Sequence, residues 1–441
     1  MGMLGNLLHN IWWLLVLIGI MIVIHELGHY IAARFFDVHI EAFSVGFGPK
    51  LLRWQRGETE FRVSWLPLGG YVKMAGEQPG DAADPRGFAA KPRWQRLIIV
   101  LAGPAMNVVL AFALLTGLFM LHYPKLASSS QVATIGYVKP GGPAAKAGLQ
   151  EGDVIVQLED KQDPTWEDLG LREVVCANKT LPLLIQRDGK TIHVALTPEA
   201  DPKTGLGVAG WLPQTEVEVG GLIAGMDAER KGLRRGDQLV SIDGEAIRVP
   251  SKVHELLGKN GGKPVQLAYR RDGQLASVEL TPVWGDAGGQ KRWMMGVDLS
   301  PRVIYTKLPF FSAVRESVNQ NIKGATLIYS FLGAIIERRS SAKSLEGPIG
   351  IAQLSGEAAR EGASAFIGLM ATVSLNLAIF NLLPIPILDG GMIMLLLIEI
   401  FIRRDLSLQI KETVFKLGFV FLMMVVAFVI YNDISKIIPG S

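Results

Sequence analysis

Four stretches of this 441-residue chain are apolar over a length that can cross a bilayer, and they limit its possible folds more than any other feature. They run from Ile11 to Ala33, Leu97 to Leu121, Ala365 to Leu388 and Val414 to Tyr431. A helix needs about 20 predominantly apolar residues to span the hydrocarbon core, so each is a candidate span. The second contains no Asp, Glu, Lys or Arg, and the fourth carries only Lys416, near its start. A cleaved signal peptide competes for the first stretch. It needs a basic leading segment and a small-residue cleavage site, yet no Lys or Arg precedes Arg34 and the apolar run continues past His25, Glu26 and His29. Charged residues are 19% of the chain, against about 25% in a soluble domain. That balance excludes disorder, collagen and coiled coil. A net charge of +3 is too small to imply nucleic-acid binding, so no nucleic-acid partner is expected. The lone Cys176 excludes an intramolecular disulfide and a cysteine-cluster zinc site.

Orientation follows from the Lys/Arg bias of short loops. Residues 34–96 carry ten such residues, from Arg34 to Arg96, and the loop before the fourth span holds Arg403, Arg404, Lys411 and Lys416. The N-terminal segment has none and the C-terminal tail only Lys436. Both basic loops are therefore expected in the cytoplasm and both termini outside. The segment from His122 to Arg360 is then extracytoplasmic, where Cys176 could pair between molecules.

That external segment repeats itself. Gly148-Leu149, Gly152-Asp153, Arg187-Asp188-Gly189 and Leu196-Thr197-Pro198 recur as Gly232-Leu233, Gly236-Asp237, Arg271-Asp272-Gly273 and Leu280-Thr281-Pro282, always 84 residues on. A constant offset marks a duplicated domain. Each copy reads as short strands, a Gly-Asp turn, a helix and a hairpin closed at Asp-Gly. The Gly-Leu-x-x-Gly-Asp pattern resembles a PDZ domain, a fold that takes extended peptides by strand addition. Two spacer domains without a ligand are the alternative. Between the repeat and the third span, Ala325 to Ile336 is too short to cross a bilayer, so Pro309 to Arg339 reads as an amphipathic helix on the outer membrane surface.

The chemistry is concentrated in His25-Glu26-Leu27-Gly28-His29. Residues i and i+4 share a helix face, so two imidazoles can converge on one zinc, with Glu26 beside them as general base toward water. A pair of surface histidines is a poor alternative, because ionisable groups inside a membrane helix are costly and functional by default. A catalytic zinc takes a third protein ligand and keeps one open position. Asp389 is a candidate: it is the only carboxylate between Glu361 and Glu399, in the run Asn381-Leu382-Leu383-Pro384-Ile385-Pro386-Ile387-Leu388-Asp389-Gly390-Gly391. Irregular backbone at membrane depth is tolerated only against protein or a wet cavity. The competing role for Asp389 is a cap on the helix that follows.

Together, the His25–His29 motif and the Asn-x-x-Pro-x-Pro-x-Leu-Asp-Gly run ending at Gly390 resemble the site-2 protease family of intramembrane metalloproteases. The tandem PDZ-like insert resembles its regulator-of-sigma-E protease branch. The resemblance covers essentially the whole chain, and Gly46-Phe47-Gly48-Pro49 and Gly103-Pro104-x-x-Asn107 also match family motifs. It implies one Zn2+ per chain held by His25, His29 and Asp389, Glu26 as the catalytic base, and Asn381 as a group binding the substrate backbone or oxyanion. One departure is Met392, where the family often has His after the Gly-Gly pair. The stretch Phe61–Val72 alternates and turns at Gly69-Gly70 as a hairpin does. In the family such a membrane-associated hairpin offers an edge to an unwound substrate.

The expected architecture is an α-helical polytopic membrane protein of four transmembrane helices with an inserted pair of extracytoplasmic α+β PDZ-like domains. Its segments are 1–33, the first transmembrane helix; 34–96, a cytoplasmic loop with the hairpin; 97–121, the second helix; 122–215 and 216–307, the two PDZ-like domains; 308–364, interfacial helices; 365–402, the third transmembrane segment; and 403–441, a cytoplasmic loop and the fourth helix. The resemblance implies a bacterial inner-membrane zinc endopeptidase. Its substrates would be single-pass membrane proteins already cut outside, anti-sigma factors and signal-peptide remnants among them, with the lipid bilayer as surroundings. A membrane-tethered PDZ scaffold with a non-catalytic zinc site is the alternative. A metal transporter is a weaker one, since transporters usually repeat their membrane segments and here the repeat is external. The PDZ-like pair would either exclude bulky substrates or recruit them.

Overall fold

The computed structural model describes residues 3–77, 84–121, 123–126, 132–201, 205–287, 290–301, 303–337 and 347–437. The expected domain boundary at His122 lies outside them. The chain divides into two compact units, 1–123 with 307–329 and 345–441, and 124–306 with 330–344.

Among the described residues, seven α-helices build the first unit: α1 (Met3–Phe35), α2 (Arg93–Met120), α3 (Phe310–Ile336, of which the part up to Tyr329 belongs here), α4 (Pro348–Glu361), α5 (Ala363–Leu382), α6 (Asp389–Ile402) and α7 (Leu408–Ile437). Four have the length and hydropathy of membrane spans: Leu4–Phe35, Arg93–Met120, Ala363–Leu382 and Gln409–Ser435. The expected third span is therefore two pieces. α5 stops at Leu382, prolines follow at 384 and 386, and a separate 14-residue α6 begins at Asp389. Proline has no N–H to donate and disfavours a helical residue before it, so the break falls where the sequence put it. α3 is one continuous 27-residue helix and lacks a window apolar enough to span. It packs along its neighbours: Ser317 Oγ donates to the Phe112 carbonyl of α2 at 2.9 Å, and Ala325 and Ile328 pack against Ala111, Leu375 and Ile379.

Close helix approach in this unit rests on glycine. A side chain at Gly28 would collide with the Ala102 carbonyl of α2, so α1 and α2 meet there backbone to backbone. Two buried acids in this unit have partners of different kinds. Glu399 of α6, fully buried, lies 2.6 Å from Lys411 and 3.7 Å from Arg96. Asp433 of α7 accepts the Gly347, Ile349 and Gly350 N–H groups at the start of α4, where the helix dipole favours a carboxylate.

Between α1 and α2 the chain forms β1 (Ile40–Arg56) and β2 (Thr59–Met74), an antiparallel pair. One turn lies at Gly57-Glu58, where Arg56 pairs with Thr59, and the chain reverses again between Val63 and Gly70, both of which lie beside Val45. Gly57 has φ +62, a conformation glycine adopts without strain. The pair curls at Gly46 and Gly48, so that Ala42–Val45 lies beside both Glu60–Val63 and Gly70–Lys73. Residues 70–74 are left as an edge, with one strand neighbour among the described residues.

The second unit contains the two repeats. In the first, strands 154–158, 161–162, 181–187 and 190–196 form a four-stranded sheet beside the helix Trp166–Val175. In the second, strands 217–222, 238–242, 245–246, 265–271, 274–280 and 297–301 form six, beside the helix Pro250–Asn260. Each has its own apolar core, around Ile155, Leu169 and Ile185 and around Ile242, Leu257 and Leu267. The repeated motif residues pair identically: Arg187 grips Asp153, and Arg271 grips Asp237, each through two charge-assisted hydrogen bonds of 2.6–2.7 Å. Asp-Gly closes each hairpin with both residues at positive φ, as a two-residue turn requires. Cys176 is fully buried, which removes the expected intermolecular pairing. Strands Tyr123–Leu126 and Val303–Thr306 pair with each other, so the chain enters and leaves the repeats at one place.

Candidate metal centre

His25 and His29 lie in α1, one turn apart, and both are buried. Their Nε2 atoms are 3.2 Å apart. Asp389 approaches the same point from the first residue of α6, with Oδ2 3.1 Å from His25 Nε2 and Oδ1 3.6 Å from His29 Nε2. The three donor atoms lie within 4.8 Å of one another. Asp389 does not cap α6: Leu388 is the capping residue and no side-chain cap bond forms there. Among the described residues, its ion-pair partners are the two imidazoles, whereas Glu399 and Asp433 have cations or helix N–H groups.

Local backbone brings these groups together. Ile387 has φ +88, a strained value for a β-branched residue. Gly390 and Gly391 would clash with the Leu383 and Ile385 carbonyls if they bore side chains. The loop thus folds back tightly enough to aim Asp389 at α1. Gly103 of α2 does the corresponding work on the other side, because a side chain there would collide with both imidazoles. His29 Nδ1 lies 2.9 Å from the Ile99 carbonyl, and the Asn107 carboxamide nitrogen lies 3.1 Å from His25 Nδ1.

A cavity of about 490 Å³ adjoins the three donors. Glu26, His25, His29 and Asp389 line it, together with the β2 edge from Gly70 to Met74 and with Phe415. Gly70 is tightly packed against Ile22 and Glu26, so a larger residue would push β2 away from α1. Met392 lines the cavity, while Asn381, half-buried at the end of α5, does not. Sequence reasoning quoted Gly103 and Asn107 as a motif without assigning them work. It missed Phe415 and the Ile99 carbonyl, which carry no motif signal.

Two imidazole nitrogens, one carboxylate oxygen and an open side form the donor set of a catalytic zinc site, with a carboxylate beside it. That is the arrangement of a membrane-embedded metallopeptidase. The model of peptidase family M50 matches residues 13–425, and the chain belongs to that family. The regulator of sigma-E protease RseP of Salmonella typhimurium is 30% identical over 98% of this chain and 100% of its own. A Treponema pallidum protein named "Putative zinc metalloprotease" is 30% identical over 95% of this chain and 97% of its own. Among solved structures, the PDZ domain of the SdrC-like protein of Listeria monocytogenes matches 20% of this chain and 90% of its own, at 18% identity and TM-score 0.18. The protein is a zinc metalloprotease of the site-2 protease type, a polytopic membrane hydrolase with a central β-rich insert.

Proposed function

We propose that the enzyme hydrolyses peptide bonds within the transmembrane segments of single-pass membrane proteins after a first external cut. Anti-sigma factors and signal-peptide remnants are the substrate classes. The observation that carries this is the convergence of His25, His29 and Asp389 on one point beside Glu26, in a cavity also lined by the Gly70–Met74 strand edge. One zinc per chain fits those three donors; when bound, it polarises the scissile carbonyl and lowers the pKa of water.

The chain's own residues do the rest. Glu26 accepts a proton from the attacking water as its oxygen bonds to the carbonyl carbon, and returns it to the amine as the C–N bond breaks. A transmembrane helix hides its amides in internal hydrogen bonds, so it must unwind before it can be cut. The Gly70–Met74 edge supplies replacement partners by strand addition and lays the chain across the cavity. Asn381, at the end of α5, binds the unwound backbone as it passes. The Lys/Arg bias of the 34–96 and 403–416 loops supports an orientation in a bacterial inner membrane with those loops in the cytoplasm and the termini and repeats outside.

The direct test is metal analysis of detergent-purified protein with cleavage of a model transmembrane substrate. One zinc per chain and chelator-sensitive cleavage are expected; zinc without cleavage would favour the scaffold. Orientation is checked separately by single cysteines in a Cys176→Ser chain. Lys73→Cys should be shielded from an impermeant thiol reagent in intact cells, and Lys190→Cys labelled.

A further inference from the structure

Asn107 is wholly buried on α2 against the outer nitrogen of His25. Its carboxamide nitrogen faces His25 Nδ1 at 3.1 Å, while its oxygen is buried without a hydrogen-bond partner among the described residues. Leaving a buried amide oxygen unpartnered forfeits its hydration with nothing in return, so a native site should use it. His25 points Nε2 at Asp389 and His29. For that nitrogen to offer its lone pair to a metal, the ring proton must sit on Nδ1. Nδ1–H then faces the Asn107 NH2 group, donor against donor. A half-turn of the carboxamide removes the clash and gives the orphan oxygen its donor.

We propose that Asn107 is the positioning residue of the metal centre: its Oδ1 accepts the His25 Nδ1–H, fixing the tautomer and ring plane that present Nε2. The inference rests on the zinc reading above. His29 shows the same arrangement with a different acceptor, since its Nδ1 meets the Ile99 carbonyl. The two ligands thus differ in one respect: the acceptor behind His29 is main chain, and the one behind His25 is a removable side chain. The Asn107 backbone is independently anchored, its carbonyl accepting Ser374 Oγ at 2.8 Å, so a side-chain change leaves the α2–α5 contact in place. Gly103, one turn earlier, supplies the room that lets the rings stand between Asn107 and Asp389.

The test compares Asn107→Leu, which keeps the volume but has no acceptor, with Asn107→Asp, which keeps one. Zinc dissociation constants are measured on the full chain in detergent by chelator competition, alongside the visible spectrum of the cobalt-substituted protein. Outer partners of metal-bound histidines contribute roughly 10–100-fold in affinity. Asn107→Leu should weaken zinc by about that factor and alter the cobalt spectrum, while Asn107→Asp should stay within a few-fold of wild type. Equal loss in both variants would make Asn107 a packing residue and overturn the proposal, as would wild-type affinity in Asn107→Leu. If wild type itself binds no zinc, the metal reading fails first. If wild type binds and Asn107→Leu binds equally, the positioning role alone fails.

Discussion

In the repeats, Asp153 and Asp237 occupy equivalent buried positions, and each is held by an arginine 34 residues further on. In the membrane unit, Asp389 faces two imidazoles and, among the described residues, no guanidinium or ammonium. Asp153 and Asp237 are buried and Asp389 is partly buried, and the three are satisfied differently. A carboxylate locked by a bidentate arginine has its lone pairs spent and serves the fold. A carboxylate turned toward two imidazole nitrogens can share a metal ion with them. Burial alone therefore says little about function; the chemistry of the partner decides.

The comparison is most sharply tested at the metal centre. Glu26→Gln should abolish cleavage, a loss of ~10²–10⁴-fold or more, while zinc content stays at the wild-type value. Cleavage within tenfold of wild type would remove Glu26 from the mechanism. Asp389→Ala should lower zinc occupancy together with activity, because two histidines leave the ion under-coordinated. Full occupancy in that variant would put Asp389 in the same structural class as Asp153.

Excising the repeats is the next largest perturbation. The insert closes on the paired strands Tyr123–Leu126 and Val303–Thr306, so residues 132–301 can be replaced by a short linker. Zinc binding should survive, and a full-length substrate that wild type spares should now be cut. Recruitment would give the opposite result, reduced cleavage of the shortened substrate and no gain for the long one. Truncated enzyme that discriminates as wild type does would leave the repeats with neither role.

The smallest effect on chemistry is expected from Asp237→Asn. Zinc and cleavage of a shortened substrate should be unchanged, while the second repeat loses about 2 kcal/mol as Arg271 is left without its carboxylate. Burial pushes the Asp237 carboxyl up, but Arg271 and the Arg234 N–H together hold it below the usual carboxylate range. Its contribution is thus present above the unfolded-state value, about 4, and is lost as pH falls through the lower folded value. Protease-resistance measurements of the full chain across that window should show acid loss in wild type and a flatter profile in the variant.

Much of this was legible along the chain. Apolar run length announced the four spans, the i, i+4 spacing put His25 and His29 on one face, and the constant offset exposed the duplication. These signals are local or periodic, and a helix or a tandem copy preserves them. The prolines at 384 and 386 marked the break before α6 for the same reason. The reversal near Gly69-Gly70 was legible too, but its two arms do not pair with each other: Ala42–Val45 of β1 lies between Glu60–Val63 and Gly70–Lys73, a placement that no local signal contains.

What no local signal contained is distance between remote residues. That Asp389 meets α1, that Asn107 stands behind His25 and that the Gly70–Met74 edge lines the cavity depend on how α1, α2, β2 and α6 pack. Gly28 and Gly103 show why: each lies in a motif that says nothing of its neighbours across the bundle, and only the packing reveals that a single added carbon would separate two helices or displace two imidazoles. Residue types and helices can be read along the chain. Tertiary packing decided which of them share a few ångströms, because that closeness comes from many weak contacts between elements and is written in no one of them.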